Sequence, residues 1–283
     1  MNPQHIIDNE KQIIGNYPNT YTFSKSMAER VLKRKHGNLH VSIVRPSIII
    51  SSYEEPVPGW TDTLAAGGGI TFACTSGLMH YVYSQPSSKI DFIPVDYTVN
   101  TILCCSAFSA RQKDPLVLVF HSSTSHLNPI RIDTFRNIMM DFTKTNPYYK
   151  QFSSPYAAPI GNPLLFKLLI FLTETIPSKS LEIYSKLPKL GSKKLQQQSK
   201  MLNRVLKKMM EMQQLFAHFI NNGWIYESVQ IDKILSVMSP EEKMAFPINV
   251  KTIDWQKCIQ RFCYGIRRFY IKEDVVGPET SYE

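Results

Sequence analysis

The sequence predicts an α/β fold over about residues 1–155, then a mainly helical region over about 156–275. Two observations carry that reading. A helical pattern runs into a long β-branched apolar stretch, the succession in which a helix delivers a strand to a parallel sheet. Beyond Pro155 the β-rich runs give way to helical periodicity interspersed with lysine.

Asn19 or Thr20 is placed to cap a helix carrying Tyr21, Phe23, Met27, Val31 and Leu32 on or near one face, with Gly37 as its stop. Leu39 to Ile50 is almost continuously apolar before Ser51-Ser52 and reads as a strand buried on both faces. From Tyr53 to Ile90, Pro56, Pro58, Gly59, the run Gly67-Gly68-Gly69 and Gly77 predict loops with one or two short helices able to cover a site. Val95 to Arg111 predicts a helix with Val99, Ile102, Leu103 and Ala107 facing inward; Leu116 to Phe120 predicts a second strand, and 128–146 a helix entered through Pro129.

In the helical region, Leu164 to Leu172 is apolar but spans only about 13 Å as a helix, too short to cross a bilayer alone. Leu202, Val205, Leu206, Met209, Met212, Leu215, Phe216, Phe219 and Ile220 fall at helical spacing and predict an amphipathic helix ending near Asn221-Asn222-Gly223. Ile253 to Ile271 repeats the helical pattern, Trp224 and Trp255 read as core anchors, and a tail over 276–283 reads as frayed.

Of 283 residues, 43% are hydrophobic and 19% charged, a globular composition with no repeat period. The net charge is +9, and the eight basic residues between Lys186 and Lys208, with no acid among them, hold nearly all of it. Such a confined stretch, without an RNP, zinc-finger or bZIP pattern, argues against a nucleic-acid partner. It suits either a solvated helix face or an anionic membrane surface. The five cysteines form no CxxC pair and read as reduced thiols, with Cys104-Cys105 as packing residues. No metal site is expected among the histidines, and no GxSxG elbow supports a hydrolase.

The local signal richest in chemistry is Tyr21-Thr22-Phe23-Ser24-Lys25. YxxxK spacing puts a phenol and an ammonium one helical turn apart, where the positive charge favours phenolate and so eases proton transfer. The same spacing also fits an exposed lysine beside a half-buried tyrosine.

The YxxxK helix, the following strand with Arg45-Pro46-Ser47-Ile48 and the Gly/Pro-rich stretch after it resemble the extended short-chain dehydrogenase/reductases. More closely, GNYPNTYTFSKSMAE, VRPSII, EEPVPGW, DFIPVDYTVN, INVKTIDW and YGIRRFYIKED resemble the alcohol-forming fatty acyl-CoA reductases in content and order, from about residue 12 to residue 274. The resemblance implies the C-terminal part of a Rossmann-like parallel-sheet domain followed by the family's helical region, and NADPH-dependent reduction of a long-chain acyl-CoA, through a bound aldehyde, to a fatty alcohol. It implies Tyr21 as the proton donor, Lys25 as the residue that lowers its pKa and holds the nicotinamide ribose, and the backbone of Pro46, Ser47 and Ile48 beside the nicotinamide. A membrane-associated intracellular address, endoplasmic reticulum or peroxisome, is expected, with no signal peptide and no SKL ending.

The departure from the family is the glycine-rich dinucleotide loop, TGxxGF-like, that opens its first strand and helix. No match to it occurs here; Gly67-Gly68-Gly69 lies after the YxxxK helix with no strand delivering it. Residues 1–155 are therefore expected to be a partial reductase domain lacking the nucleotide-binding first half. The alternative reading is a non-catalytic lipid- or membrane-associated module derived from such a reductase.

Overall fold

The computed structural model of the chain describes residues 8–65, 67–113, 117–187 and 192–275. The expected tail, Leu116 and Lys189 lie outside the described residues, as do the side chains of Leu215 and His218.

A one-turn helix α1 (Glu10–Ile14) precedes α2 (Thr20–Lys35). The Asn19 side chain accepts from the Thr22 amide at 2.9 Å, capping α2, and Gly37 at φ 56° turns the chain away. There follow β1 (Val41–Pro46), β2 (Ile48–Ile50), α3 (Gly67–Thr75), β3 (Tyr81–Tyr83), β4 (Lys89–Ile90), β5 (Phe92–Pro94), α4 (Val95–Ala110), β6 (Val117–Ser122), β7 (Ile130–Arg131), α5 (Ile132–Thr145) and β8 (Ala158–Ile160). The pairs β1·β6, β2·β5 and β3·β8 are parallel, and β4·β7 is antiparallel. The expected single strand is divided at Ser47: its amide donates to Ser122 O and the Ile48 amide to Asp91 O, so one chain passes from β6 to β5.

The second part is helical. α6 (Pro163–Ile170) runs through a π-turn, Phe171–Thr175, into α7 (Ile176–Lys186). The long α8 (Lys193–Asn221), α9 (Val229–Val237) and α10 (Pro240–Ala245) follow, and α11 (Trp255–Gly265) continues as a π-turn, Ile266–Ile271. No described helix is long and apolar enough to cross a membrane. The main core mixes both parts: Ile50, Phe92 and Ile93 from the strands, Phe135 and Met139 from α5, and Ile259, Phe262 and Ile266 from the C-terminal end. Each such side chain contributes about 1.5–3 kcal/mol on burial. A smaller cluster joins Cys105 and Phe120 to Ile231, Ile234 and Ile248.

Several expectations are corrected. β1 is not buried on both faces, since only Ile43 is buried; α4 covers one side, where Ser42 Oγ meets Ser109 Oγ at 2.6 Å. α2 buries no residue, and Tyr21, Val31 and Leu32 are exposed, because no other described element lays a broad face against it. α4 turns Val99, Ile102 and Leu103 outward and buries Tyr97, Thr101 and Cys105. Its threonines fit the core because their hydroxyls bond back to the helix, as Thr101 Oγ1 does to Tyr97 O at 2.7 Å. α5 starts at Ile132, after β7 rather than at Pro129. Trp255 is an anchor, its Nε1 donating to Asn128 O at 3.0 Å, but Trp224 is exposed.

The loop 53–60 is held from both sides by buried charge. Asp96, in the first turn of α4, accepts from the amides of Tyr53, Glu54 and Glu55 at 2.9, 2.8 and 3.1 Å. Arg261 of α11, 2% exposed, donates to Tyr53 O and pairs with Glu54 Oε1 at 2.7 Å. Its guanidinium also lies 5.3 Å from the Tyr53 ring centroid. Gly59 and Gly265 let loop and helix touch: a Cβ on Gly265 would sit 1.6 Å from Gly59 O. Gly59 has φ +77°, and a Cβ there would meet Arg261 O at 2.3 Å.

Asp96→Ala leaves three loop amides without their acceptor and is expected to lower unfolding free energy by about 2–4 kcal/mol in urea titrations, well above a surface change. A second prediction concerns Glu174 in the first π-turn, where burial pushes the carboxyl up to about 7. A raised carboxylate pKa means the folded chain holds the proton longer, so this group costs stability progressively as pH rises from its ordinary value of 4.5 to about 7. Glu174→Gln is expected to gain on the wild type across that window and hold a constant advantage above it, measured by denaturation at stepped pH.

Candidate functional site

A cleft of about 940 Å³ opens between α2, the β1–β2 run, the loop after β2 and the C-terminal end of α8. α2 contributes Tyr21, Lys25 and Glu29, four residues apart and thus on one face. The strand run contributes Arg45, Pro46, Ser47 and Ile48. The five residues singled out from the sequence, Tyr21, Lys25, Pro46, Ser47 and Ile48, therefore border one space. Asn19 fixes the start of α2 and so the turn from which Tyr21 and Lys25 project.

Lys25 Nζ lies 5.7 Å from the Tyr21 ring centroid, and no described acid pairs with that ammonium. Tyr21 is 58% exposed, so its hydroxyl is open to the cleft side of the molecule. Ser47 Oγ is buried and lacks a hydrogen-bond partner. A buried hydroxyl without a partner is costly unless something occupies the space beside it.

Next to Lys25 stands a charged group that the sequence reading did not single out. Arg45 grips Glu29 with two bonds, Nε to Oε1 at 2.8 Å and a second nitrogen to Oε2 at 2.5 Å. The hydrogen bond from Arg45 holds the Glu29 carboxyl below the usual range. Arg45 also reaches His121 Nε2 at 3.4 Å, while His121 Nδ1 faces Glu227 O at 3.1 Å. A carbonyl only accepts and a guanidinium only donates, so neutral His121 carries its proton on Nδ1. Asp91, between β4 and β5, accepts from the Thr124 and Ser125 amides at 2.9 and 3.2 Å, tying the strand ends together at the cleft wall.

The far wall is aromatic: Trp60 from the clamped loop, Phe216 and Phe219 from α8, and Trp224 and Tyr226 beyond it, whose rings stack at 6.5 Å and 18°. Burial raises the Tyr226 phenol above its ordinary value, with Asp91 adding to it. Glu29 was legible, one turn beyond Lys25 on the same face. His121, Trp224 and Tyr226 had no local signal, since folding alone brings them to the cleft.

The residues fit one end of a nicotinamide dinucleotide: a phenol, an ammonium and an unpartnered buried hydroxyl border one space. Among the described residues no glycine-rich turn from a strand into a helix N-terminus offers a pyrophosphate cradle. Gly67-Gly68-Gly69 has a packing role in α3, where a Cβ on Gly69 would meet Met212 Cε at 2.5 Å. His36 and His40 stand four apart, but α2 ends at Lys35 and they share no helical face; among the described residues no group of three metal-ligating side chains gathers. Burial pushes the thiols of Cys74, Cys105 and Cys263 up to about 12, as befits packing residues.

Two family models described as "Male sterility protein" match the chain, a NAD-binding one over residues 1–102 and another over residues 182–273. Fatty acyl-CoA reductase 1 of Xenopus laevis is 27% identical over 277 residues, covering 98% of this chain and 52% of that protein. Fatty acyl-CoA reductase 2 of Bos taurus is 28% identical over 272 residues, and that of Mus musculus 29% over 266, covering 95% and 94% of this chain and 51% and 50% of those proteins. The chain spans about half the length of the curated relatives it matches. A crystal structure of UDP-glucose 4-epimerase from Bifidobacterium longum overlaps 52% of this chain and 44% of that one at 15% identity and TM-score 0.35, too loosely to carry an argument.

Proposed function

The chain belongs to the fatty acyl-CoA reductase family, and from that premise we propose that the whole protein reduces a long-chain fatty acyl-CoA to a fatty alcohol with NADPH. The observation that carries this reading is the set of Tyr21, Lys25 and Ser47 around one cleft with an aromatic and aliphatic far wall. NADPH, when bound, supplies hydride, first to the thioester carbonyl with loss of the CoA thiol and then to the aldehyde.

The chain's own residues handle binding and the proton. Tyr21 gives its hydroxyl proton to the alkoxide oxygen as hydride reaches the aldehyde carbon. Lys25, without an acid partner, stabilises the phenolate that remains and donates to the ribose hydroxyls. The Ser47 hydroxyl and the backbone of Pro46 and Ile48 position the nicotinamide. A nucleotide-binding half of the kind expected upstream would supply the pyrophosphate cradle.

In the full-length protein, Tyr21→Phe is expected to cut alcohol formation by at least about a hundredfold while acyl-CoA binding stays within about twofold. Activity within twofold of wild type would remove Tyr21 from the role. Lys25→Met is expected to weaken NADPH binding as well as turnover.

A second part of the proposal concerns the membrane surface, and a specific observation favours it. Leu164, Leu165, Leu168, Phe171, Leu172 and Ile183 are exposed along α6, the π-turn and α7, next to the basic stretch Lys186–Lys208. Such a face suits the headgroup region of an anionic bilayer, at the endoplasmic reticulum or peroxisome. The same contact would serve the alternative, non-catalytic lipid-associated module. Replacing Lys193, Lys194 and Lys200 by glutamate is expected to abolish flotation with phosphatidylserine vesicles at physiological salt, where each lysine contributes about 1 kcal/mol. Unchanged flotation would sink the membrane reading.

A further inference from the structure

A second, smaller cavity lies behind the cleft. Its volume is about 50 Å³, and Cys74 of α3, Val82 of β3, Phe135 and Met139 of α5 and Ala157 line it. The surface exposed inside it is apolar. Arg136 stands at its wall, but its charge is engaged elsewhere: Nε donates to Ala157 O at 2.7 Å and a terminal nitrogen to Asn137 Oδ1 at 3.1 Å. Thr71 also lines the cavity, with a buried Oγ1 that has no hydrogen-bond partner, but one such group falls short of the two to four polar partners a bound water needs, which disfavours water there.

Four side chains, Ile48, Ile90, Phe216 and Ile220, wall this cavity and the large cleft alike. The partition is therefore apolar. Ile48 follows Ser47 directly, and Phe216 and Ile220 stand one turn apart on α8. The partition thus stands beside Ser47 on the cleft side, and only these four apolar side chains are common to the two spaces.

We propose that this cavity receives the terminal carbons of the substrate's acyl chain, the four partition side chains forming the passage from the reacting end. The inference rests on the acyl-CoA reading above and deepens it, by assigning the place that measures chain length. By the scale on which a cavity of about 150 Å³ takes benzene, about 50 Å³ holds roughly two carbons, the end of a chain whose remainder lies in the cleft. Methylene groups entering a dry apolar space gain dispersion contacts that its walls otherwise lack. Chains too short to reach the partition forgo that gain.

The test uses palmitoyl-CoA carrying a diazirine on its terminal carbon, photolysed on the full-length protein, with adducts mapped by mass spectrometry and competed by unmodified palmitoyl-CoA. The expected adducts lie in peptides covering 67–75 and 132–145. Competed adducts confined to Trp60, Trp224 and Tyr226 would overturn the cavity assignment and leave the acyl-CoA reading standing. No competed adduct anywhere would overturn both.

Val82→Phe, which fills the cavity, gives an independent readout once its near-ultraviolet circular dichroism matches wild type. It is expected to weaken palmitoyl-CoA binding about tenfold while octanoyl-CoA stays within about twofold. An equal change for both chain lengths would overturn the assignment.

Discussion

Two buried charges facing each other across a loop set the geometry on which the rest of this structure depends. Asp96 takes three backbone amides of 53–55 from one side, and Arg261 takes Tyr53 O and the Glu54 carboxylate from the other. Neither charge is replaceable by an apolar residue without leaving its own loop partners unmet. Two further bonds tie the same place down: the Asp254 amide donates to Tyr53 Oη at 3.2 Å, and Tyr97 Oη meets Thr252 Oγ1 at 2.8 Å. Elements more than two hundred positions apart in sequence therefore meet at one loop.

The cleft inherits its shape from that junction. Trp60, Thr61 and Asp62 leave the clamped loop directly into its wall, and Phe262 of α11 borders the same space. Across from them, Tyr21 and Lys25 stand on a helix with no buried residue of its own. The cleft thus combines a rigid side and a lightly supported side.

The large features were legible because they rest on local patterns. Asn19 and Gly37 marked α2, and the β-branched stretch marked the β1–β2 run, which pairs in parallel with its neighbours as an α/β fold requires. Helical spacing marked α8 and α11. What failed was the inference from apolar spacing to burial. α4 carries two candidate faces, and Val99, Ile102 and Leu103 lost to one built of Tyr97, Thr101 and Cys105, because threonine hydroxyls satisfied within the helix pack closely against β1. Trp224 failed for the same reason: its size suggested the core, yet it stacks on Tyr226 at the cleft edge. The motif strings EEPVPGW, DFIPVDYTVN, INVKTIDW and YGIRRFYIKED were visible as strings. That they converge, through Glu54 and Gly59, Asp96, Thr252 and Gly265, was not, since nothing in linear order says which buried charge answers which loop.

Amide hydrogen exchange, resolved to single residues on the intact chain, tests this most directly. If the loop is clamped as described, the Tyr53, Glu54 and Glu55 amides exchange with those of α11, by the same slow cooperative opening and with the same denaturant dependence. Exchange of the three loop amides within seconds while α11 stays protected would show that the loop opens alone, and the junction would lose its place as the organising constraint.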